Sequence, residues 1–364
     1  MISRRSFLTF SAIAGSATVL TACGLDSGSG GNDDAPSAEG ASTDAAVTPV
    51  PFTIYTARDK ELAEQVVADF EAAHPDWVGM ATILTLGAQE ALERIRGEKS
   101  NPQGDIWWGG TRQQMQQGAT DGILAAAPQE VIDAVPAEYR DADGLWVGEM
   151  KLAELFMINT DVMSKEDAPA DWDDLLDPSM KDQIAIRDVE ASGTMRSIYS
   201  AMIDRLYDQD GSPEAGYDWL LQLDANTKVY AANPTDMYQR VSRQEAAMSL
   251  WNLQDIMLQK TGDFPMFEAV VPASGAPMLI DGVAKVAGGP GADGADLFLG
   301  YLMSEEVQVK LAEERYQIPT IELSFEPSWL AELGLTEMAL DWDRIGENET
   351  DWISYWAANI KDKG

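Results

Sequence analysis

The sequence predicts an α/β protein built as two lobes. Three observations lead there. Beyond a polar leader lie about 315 residues, too many for one simple core and suited to two. A hydrophobic content of 45% is that of a globular chain. And one pattern recurs along it, a short apolar strand, a turn of small polar residues and an amphipathic helix, which builds parallel sheets with helices on both faces.

Taken in order, the chain opens with a basic start and an apolar run from Phe7 to Leu20. That run is too short to span a bilayer and reads as the hydrophobic part of a signal peptide, residues 1–22. Ser3-Arg4-Arg5-Ser6-Phe7-Leu8 resembles a twin-arginine export signal, used for cargo that crosses the membrane folded. Leu20-Thr21-Ala22-Cys23 resembles a lipobox, so Cys23, the only cysteine, is the expected lipid attachment site. A lone cysteine also excludes an internal disulfide. Two acyl chains anchor stably, so the expected location is outside the cell membrane, lipid-anchored at its outer face, at the cell surface or in the periplasm. Residues 23–50 are rich in Gly, Ser, Ala and Asp and read as a flexible linker with a reach of roughly 30 Å. Charge narrows the partners: 25 basic against 61 acidic residues give −36, which argues against nucleic acid and anionic membrane as ligands.

The first strand–helix unit is "FTIYTARDKELAEQVVADFEAAHPD". Phe52, Ile54 and Tyr55 suit a strand, and Thr56 with Asp59 reads as a capping box. Leu62, Val66 and Phe70 then fall on one helix face. His74, the only histidine, sits at the helix end as a structural residue; one histidine and one cysteine leave no zinc set and no histidine-dependent triad. The second unit, "GDIWWGGT", alternates: Ile106 and Trp108 face one way, Asp105 and Trp107 the other. Gly109-Gly110 turns the chain, and Thr111 with Gln114 forms a capping box. One tryptophan is expected in the core and Trp107 beside a ligand, because open α/β sheets bind off the carboxyl ends of their strands. Two further units follow, a strand over 183–187 into Ser192-Gly193-Thr194, and "TKVYAANPTDMYQRV" with Asn233 as cap and Pro234 at the first helical position.

In order along the chain, "LWVGEMKLAELFMINTDVM", "APADWDDLLDPSMKDQIAIRDVEASGTMRSI", "VVPASGAPMLIDGVAKVAGG" and "LFLGYLMSEEVQVKLAEERYQIP" resemble the extracellular solute-binding proteins of ABC importers. The nearest branch is the ferric-ion-like one, which also holds binders of sugar phosphates and phosphonates. The resemblance implies the type 2 periplasmic-binding-protein fold, with a ligand cleft between lobes, a small-molecule ligand, an ABC permease as partner, a monomer, no enzyme activity and no cofactor. It places the crossings near 157–159 and 270–277. Lobe 1 is then 51–157 plus 277–320, lobe 2 is 158–276, and 321–364 is a helical tail carrying Trp329, Trp342, Trp352 and Trp356.

One departure bears on the ligand. Ferric binders of this family carry adjacent tyrosines in a stretch like "AAMSLWNLQDI", where this chain has Leu250-Trp251-Asn252. Fe(III) wants hard anionic oxygens, and Tyr316 in "ERYQIP" stands alone, so no metal site is assigned. A small anion fits better, because helix N-termini offer unpaired N–H groups and a positive dipole end. Thr56, Thr111, Ser192 and Thr194 add hydroxyls and Arg58 and Arg196 add charge. Gly109, Gly110 and Gly193 let backbone approach closely. Trp107, Trp251 and Asn252 would border an apolar or sugar portion. The expected solute is therefore a phosphorylated sugar or a phosphonate-like anion. Two other solutes stay open: iron(III), and a polyamine held by Asp105, Glu149 and Asp281. An exported hydrolase with paired carboxylates lacks any supporting motif.

Overall fold

The computed structural model describes residues 48–364, so the signal peptide, Cys23 and most of the linker lie outside the described residues. The chain enters with β1 (Phe52–Thr56), α1 (Lys60–Ala73), β2 (Ala81–Thr85) and α2 (Ala88–Gly97). Then come β3 (Ile106–Thr111), α3 (Arg112–Thr120), β4 (Leu124–Ala125), α4 (Gln129–Ala134) and the long β5 (Val147–Asn159). The middle holds β6 (Ile184–Arg187), α5 (Gly193–Asp210), α6 (Glu214–Asn226), β7 (Thr227–Ala231), α7 (Pro234–Ser242), β8 (Met248–Asn252), α8 (Leu253–Thr261) and β9 (Phe267–Val270). The chain returns through β10 (Met278–Val286), α9 (Ala292–Leu302), α10 (Glu305–Arg315) and β11 (Ile318–Pro319), and ends on α11 (Ser328–Leu333) and α12 (Trp342–Asn359).

The strands form one mixed sheet in the order β2-β1-β3-β10-β5-β8-β6-β7. Neighbours β1, β2 and β3 are parallel, as are β6, β7 and β8. β10 and β5 lie antiparallel between those two sets. β5 changes partner midway: Lys151 to Ala153 face β10, whereas Glu154 to Ile158 face β8. The change falls a few residues before the crossing read in the sequence, within a strand that is buried almost throughout. Extended backbone shared by two sheet halves is the cheapest way to join them without leaving backbone groups unpaired.

Each half has its own cores, which follow from strand alternation. In β1, Phe52 and Ile54 join Phe70, Trp77, Trp108 and Phe298 on one face of the first half, while Tyr55 joins Trp107, Met115 and Trp146 on the other. The second half packs Phe156, Trp172, Trp219 and Phe267 together, and Trp352 and Trp356 of α12 complete that same core. The tail thus packs back as helices, with the Trp356 ring 5.2 Å from that of Tyr199 on α5.

Local sequence signals explain most starts. Thr111 and Gln114 form a reciprocal capping box on α3, and Asn233 caps α7 with Pro234 behind it. The α1 cap differs from expectation. Thr56 is held in β1 between Thr85 and Trp108, so the backbone stays extended, and Asp59 caps the helix instead. The Thr56 hydroxyl accepts the Arg58 N–H at 3.1 Å.

The paired tryptophans and glycines now have a reason. Both indoles are fully buried, because helices cover both faces of the sheet and each tryptophan fills a different core. Trp107 is therefore a core residue and not an aromatic wall beside a ligand. Gly109 has φ +95°, a conformation costly for any residue with a Cβ. At Gly110 a Cβ would stand 2.7 Å from the Trp107 ring, so the ring is accommodated by the missing side chain.

Candidate functional site

The site gathers where the two sheet halves meet. After β1 the chain turns at Ala57 and Arg58 into α1, and Arg58 folds inward to 8% exposure. Its guanidinium lies between two carboxylates: Nη1 donates to Asp281 Oδ2 at 2.8 Å and Nη2 to Glu149 Oε2. Glu149 comes from β5 and Asp281 from β10, whose ladders shift register at 281–283. Such bulges re-aim side chains beside sites. Burial works against the charge on Arg58, but Asp281 and Glu149 outweigh it and its pKa rises. Burial likewise raises Glu149, opposed by Arg58. Arg58 Nε, Glu149 Oε1 and Asp281 Oδ1 are buried without a hydrogen-bond partner.

Opposite lies the N-terminus of α8. Asn252 caps it, accepting the Asp255 N–H at 2.8 Å. Asp255 Oδ2 in turn accepts from Trp251 Nε1 at 2.9 Å, Asn252 Nδ2 at 3.0 Å and the Tyr238 hydroxyl at 3.3 Å. Trp251 is consequently fixed edge-on to Tyr238 and only 4% exposed. Burial and then the Asp255 charge push the Tyr238 phenol up, keeping it protonated. Gln254 donates to the Arg315 carbonyl at 2.9 Å.

Between these walls is a cavity of about 230 Å3 lined by Arg58, Asp59, Gln254, Asp255, Arg315 and Gln317 among others. Arg315, the last residue of α10, makes no ion pair through its guanidinium among the described residues. Behind Asp255, on β5, Glu154 is fully buried with neither carboxyl oxygen hydrogen-bonded. Burial, and then the nearby Asp255 charge, hold its pKa well above the ordinary carboxylate range.

The residues expected at the site divide. Arg58 lines this cavity, Thr56 braces the turn that carries it, and Trp251 and Asn252 hold Asp255 in it. Gly109 stands against that turn, its Cβ position 3.3 Å from Ala57. Thr111 and Gly110 end β3 opposite Asp281 and Gly282 of β10, beside the Arg58 cluster but outside the cavity lining, and Thr111 caps α3. Ser192, Gly193 and Thr194 open α5, with the Ser192 hydroxyl accepting the Met195 N–H. Arg196 is taken by Glu349 of α12. Tyr316 adopts φ 54° and packs edge-on against Trp329 at 5.5 Å, apart from the cavity lining. Of the acids considered for a polyamine, Asp105 is a structural anchor that accepts the Thr53 and Gly291 N–H groups, and Glu149 and Asp281 bind Arg58.

Sequence reasoning passed over Asp59, Glu154, Gln254, Asp255, Arg315 and Gln317. The signal for two of them was present. Gln254-Asp255 opens a helix directly after the strand "SLWN", the same strand–helix junction that singled out Thr56 and Thr111. Among the described residues no three His, Cys, Asp or Glu side chains are arranged to hold a metal ion.

Comparison with known proteins gives the family and the fold. The model of the family described as "Bacterial extracellular solute-binding protein" matches residues 105–348. An uncharacterised protein of Haemophilus influenzae is 29% identical over 229 residues, 61% of this chain; the match spans 64% of that relative, less than two thirds of its length. Iron uptake protein A1 of Synechocystis is 26% identical, covering 88% of this chain and 87% of its own. A putative 2-aminoethylphosphonate-binding periplasmic protein of Salmonella typhimurium is 24% identical over 74% of this chain and 80% of its own. Among solved structures, the ferric binding protein of Campylobacter jejuni superposes with a TM-score of 0.71 at 20% identity, over 84% of this chain and 98% of its own. The periplasmic binding protein AfuA of Actinobacillus pleuropneumoniae, solved with exogenous fructose-6-phosphate bound, gives 0.67 at 25% identity, over 86% of this chain and 99% of its own. The fold is that of the two-lobe periplasmic binding proteins, as the sequence led us to expect.

Proposed function

Because the chain belongs to the bacterial extracellular solute-binding proteins, we propose that it is the receptor of an ABC importer. In this reading it is lipid-anchored through Cys23 outside the cell membrane and hands a small anionic solute, phosphorylated or phosphonate-like, to its permease. Residues 51–153 with 277–320 would act as one lobe and 154–276 as the other, closing on the cavity at their junction. No helix among the described residues is long and apolar enough to cross a membrane.

One observation carries the choice of an anion. Arg315, whose guanidinium makes no ion pair among the described residues, lines the cavity beside Arg58, in a chain where acids outnumber bases 61 to 25. A planar fork of donors matches phosphate and phosphonate oxygens, and the side-chain amides of Gln254 and Gln317 supply further donors beside it. Two relatives support an oxyanion, the aminoethylphosphonate binder by its name and AfuA by its bound sugar phosphate. The Ser192 turn at the α5 N-terminus remains a second candidate contact for the solute once the lobes close.

Iron(III) is the second reading, favoured by the iron uptake relative and by the Asp59 and Asp255 carboxylates in the same cavity. The raised Tyr238 phenol works against it, since Fe(III) wants the phenolate. Titration calorimetry with fructose 6-phosphate, ethylphosphonate, spermidine and Fe(III) separates these readings. We expect a phosphorylated or phosphonate probe to bind and Arg315→Ala to weaken it roughly ten- to a hundredfold, the range of a charged hydrogen bond. Binding of Fe(III) or spermidine alone, indifferent to Arg315, would overturn the anion reading.

A further inference from the structure

Four buried polar side-chain atoms have no hydrogen-bond partner: both carboxyl oxygens of Glu154, a neighbour of the cavity-lining Asp255, and Nε2 and Oε1 of Gln317, which lines the cavity itself. Both residues are essentially inaccessible, at 0% and 1% exposure. Buried polar groups in folded proteins are overwhelmingly paired, so orphaned acceptors on both Glu154 and Gln317 mark a missing donor. We propose that Glu154, Asp255 and Gln317 form a cage for a primary ammonium group, so that the solute is a zwitterion with its cation inward and its anion toward Arg315. The second half of this statement rests on the anion reading above; the cage itself does not.

The geometry brings the three together. Glu154 is the direct ladder partner of Asn252, and Asn252 holds Asp255 by its side chain. Ile318 pairs with Lys151, so the same register carried back one residue sets Gln317 opposite Leu152. Leu152 and Glu154 share a sheet face, because side chains alternate with period 2. Gln317 and Asp255 both line the cavity, and Glu154 is near enough to Asp255 to feel its charge.

Stoichiometry selects the occupant. An ammonium group has three N–H donors and no acceptor. The cage offers three acceptors: the Glu154 carboxylate, the Gln317 carbonyl oxygen and Asp255 Oδ1, since Oδ2 already accepts three bonds. A hydroxyl brings one donor and leaves two acidic groups facing each other. Arg58 is not free to neutralise Glu154, because it is held by Glu149 and Asp281, and Arg315 is the cation assigned above to the anion. Burial, and then the Asp255 charge, raise the Glu154 pKa well above the ordinary carboxylate range and so favour its protonated form. An arriving ammonium supplies the counter-charge, and the carboxyl releases its proton on binding.

The test is calorimetry on the folded protein with ω-aminoalkylphosphonates of two to four carbons, the alkylphosphonates of matching length, and putrescine. The amine is expected to improve affinity roughly ten- to a hundredfold, with an enthalpy that varies with the buffer's ionisation heat. Glu154→Gln should erase both the amine's advantage and the proton release, leave alkylphosphonate affinity unchanged, and leave the empty protein at least as stable. An amine without advantage, or an advantage that survives Glu154→Gln, overturns the cage; so does equal binding with water as the sole occupant. If putrescine alone binds and depends on Glu154, the cage stands and the anion reading falls. If no probe binds, both fall.

Discussion

Replacing Arg58 by methionine keeps an unbranched apolar stem and removes the charged guanidinium. Two consequences follow from the structure. Glu149, wholly buried, and Asp281, at 18% exposure, lose their counter-charge at the same time. Breaking a buried pair from one side typically costs about 3–5 kcal/mol, because the partner is left as an uncompensated buried charge. At about 2 °C per kcal/mol, the lower end for a large domain, Arg58→Met should melt roughly 6–10 °C early. The loss should depend on pH. Without Arg58 the folded-state pKa of Glu149, already raised by burial, rises further. The folded state then holds a proton that the unfolded chain releases, so the penalty grows as pH rises above the unfolded carboxylate value and shrinks as pH falls toward it. Adding Glu149→Gln should recover part of the stability at neutral pH. Urea unfolding followed by tryptophan fluorescence at several pH values measures all of this. A single variant within about 1 kcal/mol of the parent, or a double variant no better than the single, would refute the account of this cluster.

Three further outcomes are expected. Gly110→Ala should destabilise by about 1–3 kcal/mol through overpacking against Trp107, read by thermal melting, and pairing it with a smaller residue at Trp107 should restore part of the loss. Arg196→Ala should leave solute affinity within a factor of about two in calorimetry, because its guanidinium is committed to Glu349, and should cost at most about 1 kcal/mol as a partly exposed ion pair. Cys23→Ser should move the folded protein from the membrane fraction to the soluble one with binding intact; retention after a high-salt wash would remove the lipid anchor from consideration.

What the sequence disclosed was mostly local. Strand–turn–helix units, the Thr111–Gln114 box and the Asn233-Pro234 helix start depend on residues within a few positions of each other, and the structure has them. Alternation correctly sent Trp107 and Trp108 to opposite faces, but nothing in six residues says that both faces are covered. Thr56 misled for a related reason: pairing with β2 and β3 on either side overrode a good local cap. The site was harder still. Arg58 and Asp281 stand 223 positions apart, and Glu149 and Glu154 sit in a strand whose polarity reads as ordinary alternation. Only the ladder shows that one meets an arginine and the other meets nothing.

The ordering of strands across the sheet has a consequence for biogenesis. β3 is flanked on one side by β10, which is synthesised only after the entire β6–β9 half has emerged. That second half in turn waits for α12 near the end of the chain to fill its core. Neither half can therefore mature as an N-terminal unit during translation, the usual course for multidomain chains. Native packing of the two halves is thus postponed until β10 and α12 have been synthesised. A topology that commits so late would suit an export route for finished, folded cargo, the expectation raised by the resemblance of the Arg4-Arg5 stretch to a twin-arginine signal.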